Sequence, residues 1–222
     1  MQKFDTPTPV SVVLEIPAGR IRFVASERTD TTVEVLPAEA SKKRDVKAAE
    51  QTSVEYSEGV LRVVTADPSK LFGSSGSVDV TIALPAGSRV SGKAGAAELA
   101  SSGRLAEVVF DGGYRAVELD EVGTAQLKVH TGAVTVARLT GPAHITNGQG
   151  DITVAEAVAG VVELRTGSGN LSVTAAHGVS GTLDASTPYG RINNAMQNTA
   201  GAAAALTVRA TTSQGDITAA SL

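Results

Sequence analysis

From residue 108 onward, apolar and polar positions alternate in short runs that return at a fixed phase. Val117, Val134, Ile152, Leu171, Ile192 and Ile217 serve as anchors, separated by 17, 18, 19, 21 and 25 residues. Seven positions before them stand Phe110, Leu127, Ile145, Leu164, Ala185 and Ala210, and nine before stand Val108, Ala125, Ala143, Val162, Leu183 and Val208. All twelve are apolar. The positions between, Val109, Gln126, His144, Glu163, Asp184 and Arg209, are mostly polar. A period of two is that of a strand with one buried face. Two past the anchors the inner position recurs as Leu119, Val136, Val154, Val173, Asn194 and Ala219, with only Asn194 polar. Outside lie Glu118, Thr135, Thr153, Ser172, Asn193 and Thr218. Five anchors follow a glycine by two residues (Gly132, Gly150, Gly169, Gly190, Gly215), and Arg115 stands there in the sixth, so this offset reads as a turn.

Spacings of two, seven and two exclude a helix, whose apolar residues recur at three and four. Short pieces such as Leu139-Thr140-Gly141 and Val158-Ala159-Gly160 add a third side to each coil. Recurrence in the same sense once per coil predicts an all-β fold, a parallel β-solenoid (single-stranded β-helix), over an antiparallel sandwich or roll. The predicted organisation is an elaborated N-terminal β segment over 1–86, continuous with repeated β-coils over 87–222. In the first segment Val12, Leu14, Gly19, Ile21 and Phe23 match the repeat offsets, as do Val54, Gly59, Leu61 and Val63. Residues 39–51 predict one short helix with Ser41 as N-cap, and residues 66–77 a surface loop.

Several stretches carry a resemblance. Phe4-Asp5-Thr6-Pro7, Ala48-Ala49-Glu50-Gln51-Thr52, the strand Val78 to Ser88, and the Gly-Asp-Ile-Thr coils at Gly150–Thr153 and Gly215–Thr218 resemble a bacterial β-strand-repeat family. That family is the domain of unknown function numbered 4097, labelled adhesin-like. The resemblance spans essentially the whole chain and implies a β-helical fold. It brings no catalytic or binding residues. Asn194 to Ala205 inserts extra residues and departs from the family pattern.

The 222 residues are 42% hydrophobic but only 3% aromatic, without Trp, so small branched side chains must fill the core in narrow layers. A net charge of −4 argues against nucleic acid, which needs gathered Lys and Arg. The basic run Lys42-Lys43-Arg44 is short and reads as a solvated helix turn. Without Cys there is no disulfide, thiolate metal site or Cys nucleophile. No run approaches the roughly 20 apolar residues of a membrane span, and the start lacks a signal-peptide stretch, so the sequence predicts a cytoplasmic chain while leaving a surface location open.

Candidate chemistry is sparse. Asn147 to Val154 resembles calcium-binding nonapeptide coils, but Asp151 follows Gly150 directly, which is the wrong spacing. Ser168 lies at a repeat turn and lacks the spacing of a nucleophile elbow. If the coils stack in register, His144, Glu163, Asp184 and Arg209 form one outward column on successive coils, its two carboxylates about 5 Å apart. That separation resembles a retaining glycosidase pair and gives the alternative reading, a carbohydrate-active β-helix enzyme. The reading preferred is a solvent-facing charge ladder on a non-enzymatic structural or interaction module without cofactor or metal. Its partner would be a protein, a glycan or, through the uncapped last coil Gln214–Leu222, a second copy of the chain. The hydroxyl row Thr135, Thr153, Ser172, Asn193 and Thr218 could likewise form a flat binding face, or serve structure alone.

Overall fold

The computed structural model describes residues 1–66 and 76–222, except the side chain of Ala202. The expected loop over 66–77 therefore lies mostly outside the described residues. The chain forms two compact units, Met1–Arg115 and Ala116–Leu222, and both are built from β-solenoid coils.

The first unit contains β1 (Gln2–Asp5), β2 (Ser11–Ser26), β3 (Asp30–Pro37), helix α1 (Lys43–Glu50), β4 (Thr52–Ser57), β5 (Val60–Thr65), β6 (Val78–Pro85), β7 (Arg89–Ser102) and β8 (Arg104–Gly112). The first half of β2 runs parallel to β5 on one side and β7 on the other; its second half lies between β6 and β7, again parallel. Strand β8 adds in parallel to β7. Alternate residues Val12, Leu14, Ile16, Ile21 and Phe23 of β2 are buried, as the period of two requires. Antiparallel strands cover the far side of the β5–β6 coil: β4 on β5, β3 on β6, and β1 on β3.

Two expectations are corrected here. Val54, Gly59, Leu61 and Val63 do not form a coil module, because β4 and β5 make an antiparallel hairpin. Its two turn residues, Glu58 and Gly59, have φ of 51° and 78°. Positive φ at both central positions is the turn whose twist reverses the chain tightly, and a coil corner cannot use it. The helix forms, but Ser41 does not cap it. Its hydroxyl bonds to Glu39 Oε1 at 2.9 Å, and Lys42 occupies the N-cap without a side-chain bond. Helix α1 packs on β3 and β6, burying Ala48 and the carboxylate of Asp45, which accepts the Ser77 N–H at 3.0 Å.

The second unit contains β9 (Val117–Thr131), β10 (Val134–Leu139), β11 (Ala143–Gln149), β12 (Ile152–Ala157), β13 (Gly160–Ser168), β14 (Leu171–Ala175), β15 (Gly181–Ser186), β16 (Ile192–Ala195), β17 (Leu206–Gln214) and β18 (Ile217–Ser221). Two ladders arise, and each pairing in them is parallel. One runs β9–β11–β13–β17–β15, the other β9–β10–β12–β14–β18–β16. Val117, Val134, Ile152, Leu171, Ile217 and Ile192 stand in register, so the predicted anchors form one continuous inner file. The short third side is held by backbone bonds such as Thr140 N–H to Val122 O and Val158 N–H to Leu139 O.

Spatial order departs from sequence order at the C-terminus. The last coil, β17–β18, enters between β13–β14 and β15–β16. The expected open end at Gln214–Leu222 is thereby corrected, and the terminal coil of the ladders is Gly181–Ala195. The physical reason lies in the inner residues. Leu206, Val208, Ala210, Ile217 and Ala219 are at most 1% exposed in the two-sided slot. The terminal coil instead carries Asn194, whose amide would be costly to enclose between layers and which remains exposed, accepting the Met196 N–H at 3.0 Å.

Candidate interaction site

The outward column exists, in a different order. Register pairs His144 with Glu163, Glu163 with Arg209, and Arg209 with Asp184. Arg209 thus separates the two carboxylates, which lie two interstrand steps or about 10 Å apart rather than one. The close carboxylate pair expected for a retaining glycosidase is not formed. Glu163 accepts the Arg165 guanidinium at 2.7 and 3.0 Å and faces His144 Nδ1 at 3.2 Å. Arg165 first, and His144 second, hold its carboxyl below the usual range. A glycosidase general acid requires the opposite shift.

The turn residues Asp151, Asn170, Asp216 and Arg191 build a relay between coils. Asn170 N–H donates to Asp151 Oδ1 at 2.7 Å, Asp216 N–H to Asn170 Oδ1 at 2.9 Å, and Arg191 N–H to Asp216 Oδ1 at 2.8 Å. Each short side chain caps the amide of the coil above it. Asp216 is held below the ordinary carboxylate range, chiefly by the Arg191 amide. These residues are structural turns, and among the described residues no cluster of three or more metal-ligating side chains occurs.

Five positions before the anchors runs a second polar row that the alternation had concealed. Asn147, Thr166 and Thr212 are buried, and each donates to a turn carbonyl of a neighbouring coil: Asn147 Nδ2 to Gly132 O at 2.8 Å, Thr166 Oγ1 to Gly150 O at 3.1 Å, and Thr212 Oγ1 to Gly169 O at 3.0 Å. Thr187 does the same to Gly215 O at 3.1 Å. The shared offset was the available signal. The outer hydroxyl row is also in register, in the order Thr135, Thr153, Ser172, Thr218, Asn193.

The terminal coil presents a different surface. Among the described residues no strand pairs with the second edge of β15 or β16. The Ser180 carbonyl accepts from Leu206 and the Arg191 carbonyl from Ile217. Because successive residues of a strand direct their backbone groups to alternate sides, Leu183, Ala185, Ile192 and Asn194 present theirs to the open side. The same four residues point into the coil, and Ile192 is 47% exposed. Gln197 covers the start of this edge by accepting the Gly181 N–H at 3.0 Å. Tyr189, 75% exposed, stands at the corner.

In the first unit a groove of about 400 Å³ is lined by Glu15, Pro17, Thr65, Lys93 and Asp111 among others. Glu15, Lys93 and Asp111 are register neighbours of alternating charge, so Lys93 offsets the carboxylates on either side and one negative charge is left over. Among the described residues no helix is long and apolar enough to cross a membrane.

No curated protein matches the sequence. Among solved structures, a "putative cell adhesion protein" from Clostridium sporogenes ATCC 15579 is similar at 11% identity and a TM-score of 0.44, covering 100% of this chain and 98% of the other. A "putative adhesin" from Bacteroides fragilis NCTC 9343 is similar at 11% identity and a TM-score of 0.47, covering 98% and 95%. The family profile described as Toastrack DUF4097 matches residues 10–220. Parallel coils, a repeated glycine turn and this match together show that the chain belongs to the Toastrack family, domain of unknown function 4097.

Proposed function

We propose that this chain is a non-enzymatic interaction module, and that a protein partner adds an extended strand to the open edge of β15 and β16. The observation that carries the reading is the coincidence, at Leu183, Ala185, Ile192 and Asn194, of backbone groups directed to a side where no described strand pairs and of inner side chains that are half-buried at the first two and exposed at the last two. Strand addition draws affinity from the first and specificity from the second. A glycan is a weaker fit, since Tyr189 is the sole Phe, Tyr or Trp of residues 116–222 and sugar stacking has little else to use. The enzyme alternative loses its premise with Arg209 between Glu163 and Asp184.

The test compares two variants in binding to a partner isolated with the full chain. Leu183→Lys with Ile192→Lys places charge on the open edge and should abolish binding, while hydrogen exchange at Leu183, Ala185, Ile192 and Asn194 should slow in the wild-type complex. Glu163→Gln with Asp184→Asn should bind as wild type. Binding that survives the lysines, or glycan hydrolysis that the amide variant loses, overturns the proposal.

A further inference from the structure

The slot that holds the C-terminal coil has a consequence for assembly. Strand β17 pairs with β13 over Gly160–Ser168 and with β15 over Gly181–Ser186, while β18 bridges β14 and β16. Before this coil enters, β13–β14 and β15–β16 are two sets of parallel edges facing an unfilled layer. The fit of the layer is encoded in side chains. Leu206 stands opposite Gly181, Ala210 lies between Leu164 and Ala185, and the Thr212 hydroxyl reaches Gly169 O. The turn relay also passes through it, from Asn170 to Asp216 to Arg191.

None of these contacts distinguishes a chain's own C-terminus from that of an identical chain. Only the connection does. Residues 196–205 are largely exposed and contain a single 3-10 turn, Gly201–Ala203. Their ties to neighbouring coils are these: Ser180 Oγ accepts the amides of Thr199 and Ala200 and lies 3.1 Å from Asn198 Oδ1, Gln197 N–H donates to Ser221 Oγ, Gln197 O accepts the Gly181 amide and Ala205 O the Gly160 amide. Ten extended residues reach about 33–36 Å, enough to span from one copy to a slot in another.

We infer that the slot between β13–β14 and β15–β16 accepts residues 206–221 of a second copy, giving a dimer in which the C-terminal coils are exchanged. This goes beyond edge docking and does not depend on it. Exchange conserves each coil contact, so concentration decides the outcome. Folding in dilute solution closes each chain on itself, and folding at high concentration yields the dimer. Once made, the dimer persists, since release breaks ladders on both sides of the coil.

The chain has no Cys, so introduced thiols report unambiguously. Ser172 and Thr218 are register neighbours on the outer face. Full-length Ser172→Cys and Thr218→Cys chains are mixed, co-refolded at concentrations approaching the millimolar effective concentration of a short tether, and oxidised. A mixed disulfide several-fold above that of a Ser172→Cys and Thr135→Cys mixture, and absent when the folded chains are simply mixed, is the expected result. A yield equal to that control overturns the inference. The double variant Ser172→Cys with Thr218→Cys must close within one chain when refolded dilute; if it links neither within nor between chains, the slot register is wrong and exchange falls with it. Edge docking is judged by its own lysine variants, so either idea can fail alone.

Discussion

Short polar side chains join one coil to the next. Thr212 is fully buried and its hydroxyl donates to Gly169 O and Gln214 O at 3.0 and 3.1 Å. Thr212→Val keeps the shape but removes the hydroxyl donor from Gly169 O, while Gln214 O keeps the Gly169 amide; this should cost about 1–3 kcal/mol in urea unfolding, with Thr212→Ser recovering most of it. Asp30 offers a pH test in the first unit. It accepts Arg28 Nε at 2.9 Å and Lys3 Nζ at 3.1 Å, and these two partners lower its pKa to about 2. A carboxyl depressed in the fold stabilises above its ordinary pKa of about 3.9 and loses that contribution as pH falls through the folded value. The stability advantage of wild type over Asp30→Asn should therefore be complete near pH 5 and vanish between about pH 4 and pH 2, read as the difference in urea midpoint. The inward file at Ile145, Ile152 and Leu164 was legible in the sequence because strand geometry imposes a period of two. The buried row at Asn147, Thr166 and Thr212 was not, since these polar side chains stand at an inward phase, two past Ile145, Leu164 and Ala210, and their burial makes sense only once their common carbonyl acceptors are known.

At the scale of strands and turns, the glycine corners are the most constrained elements. Gly150 has φ of 130°, and a Cβ there would lie 2.2 Å from Gly132 O. Gly150→Ala should consequently lower the thermal midpoint by more than the few degrees that about 1 kcal/mol produces in a domain of this size. The charge row yields a second prediction. Replacing Arg209 by Glu puts three carboxylates side by side through Glu163 and Asp184, and like charges opposite one another cost about 0.2–1 kcal/mol per pair. Arg209→Glu should be destabilised at low salt and partly restored at high salt, as salt screens exposed pairs. Coil content was readable, but coil order was not. Each coil obeys the same grammar, and the spacing between anchors does not say on which side the next coil is laid. Asn194 was the clue, a polar inner residue that suits an end layer. The Glu58-Gly59 hairpin was likewise hidden, because its glycine falls at the offset used by the coil corners.

At the scale of the molecule, both units place their chain-terminal coil one layer inside. Strand β2 lies between the β5–β6 coil and β7, and the β17–β18 coil lies inside β15–β16. Strand β2 and the β17–β18 coil are thereby held by ladders on two sides, and the excursions between them and their neighbours supply the outer layers. In the first unit antiparallel strands cover that outer layer, whereas in the second no described strand pairs with the outer edge of β15 and β16. The family could be read from dispersed motifs, because coil sequences repeat along most of the chain. The proposed place of interaction could not, because it depends on which coil ends the stack. Backbone NOEs of the full-length protein in solution test that order directly. The account predicts interstrand contacts from Arg209 to both Glu163 and Asp184, and none between Glu163 and Asp184. Direct Glu163–Asp184 contacts, with Arg209 bordering Asp184 alone, would contradict it.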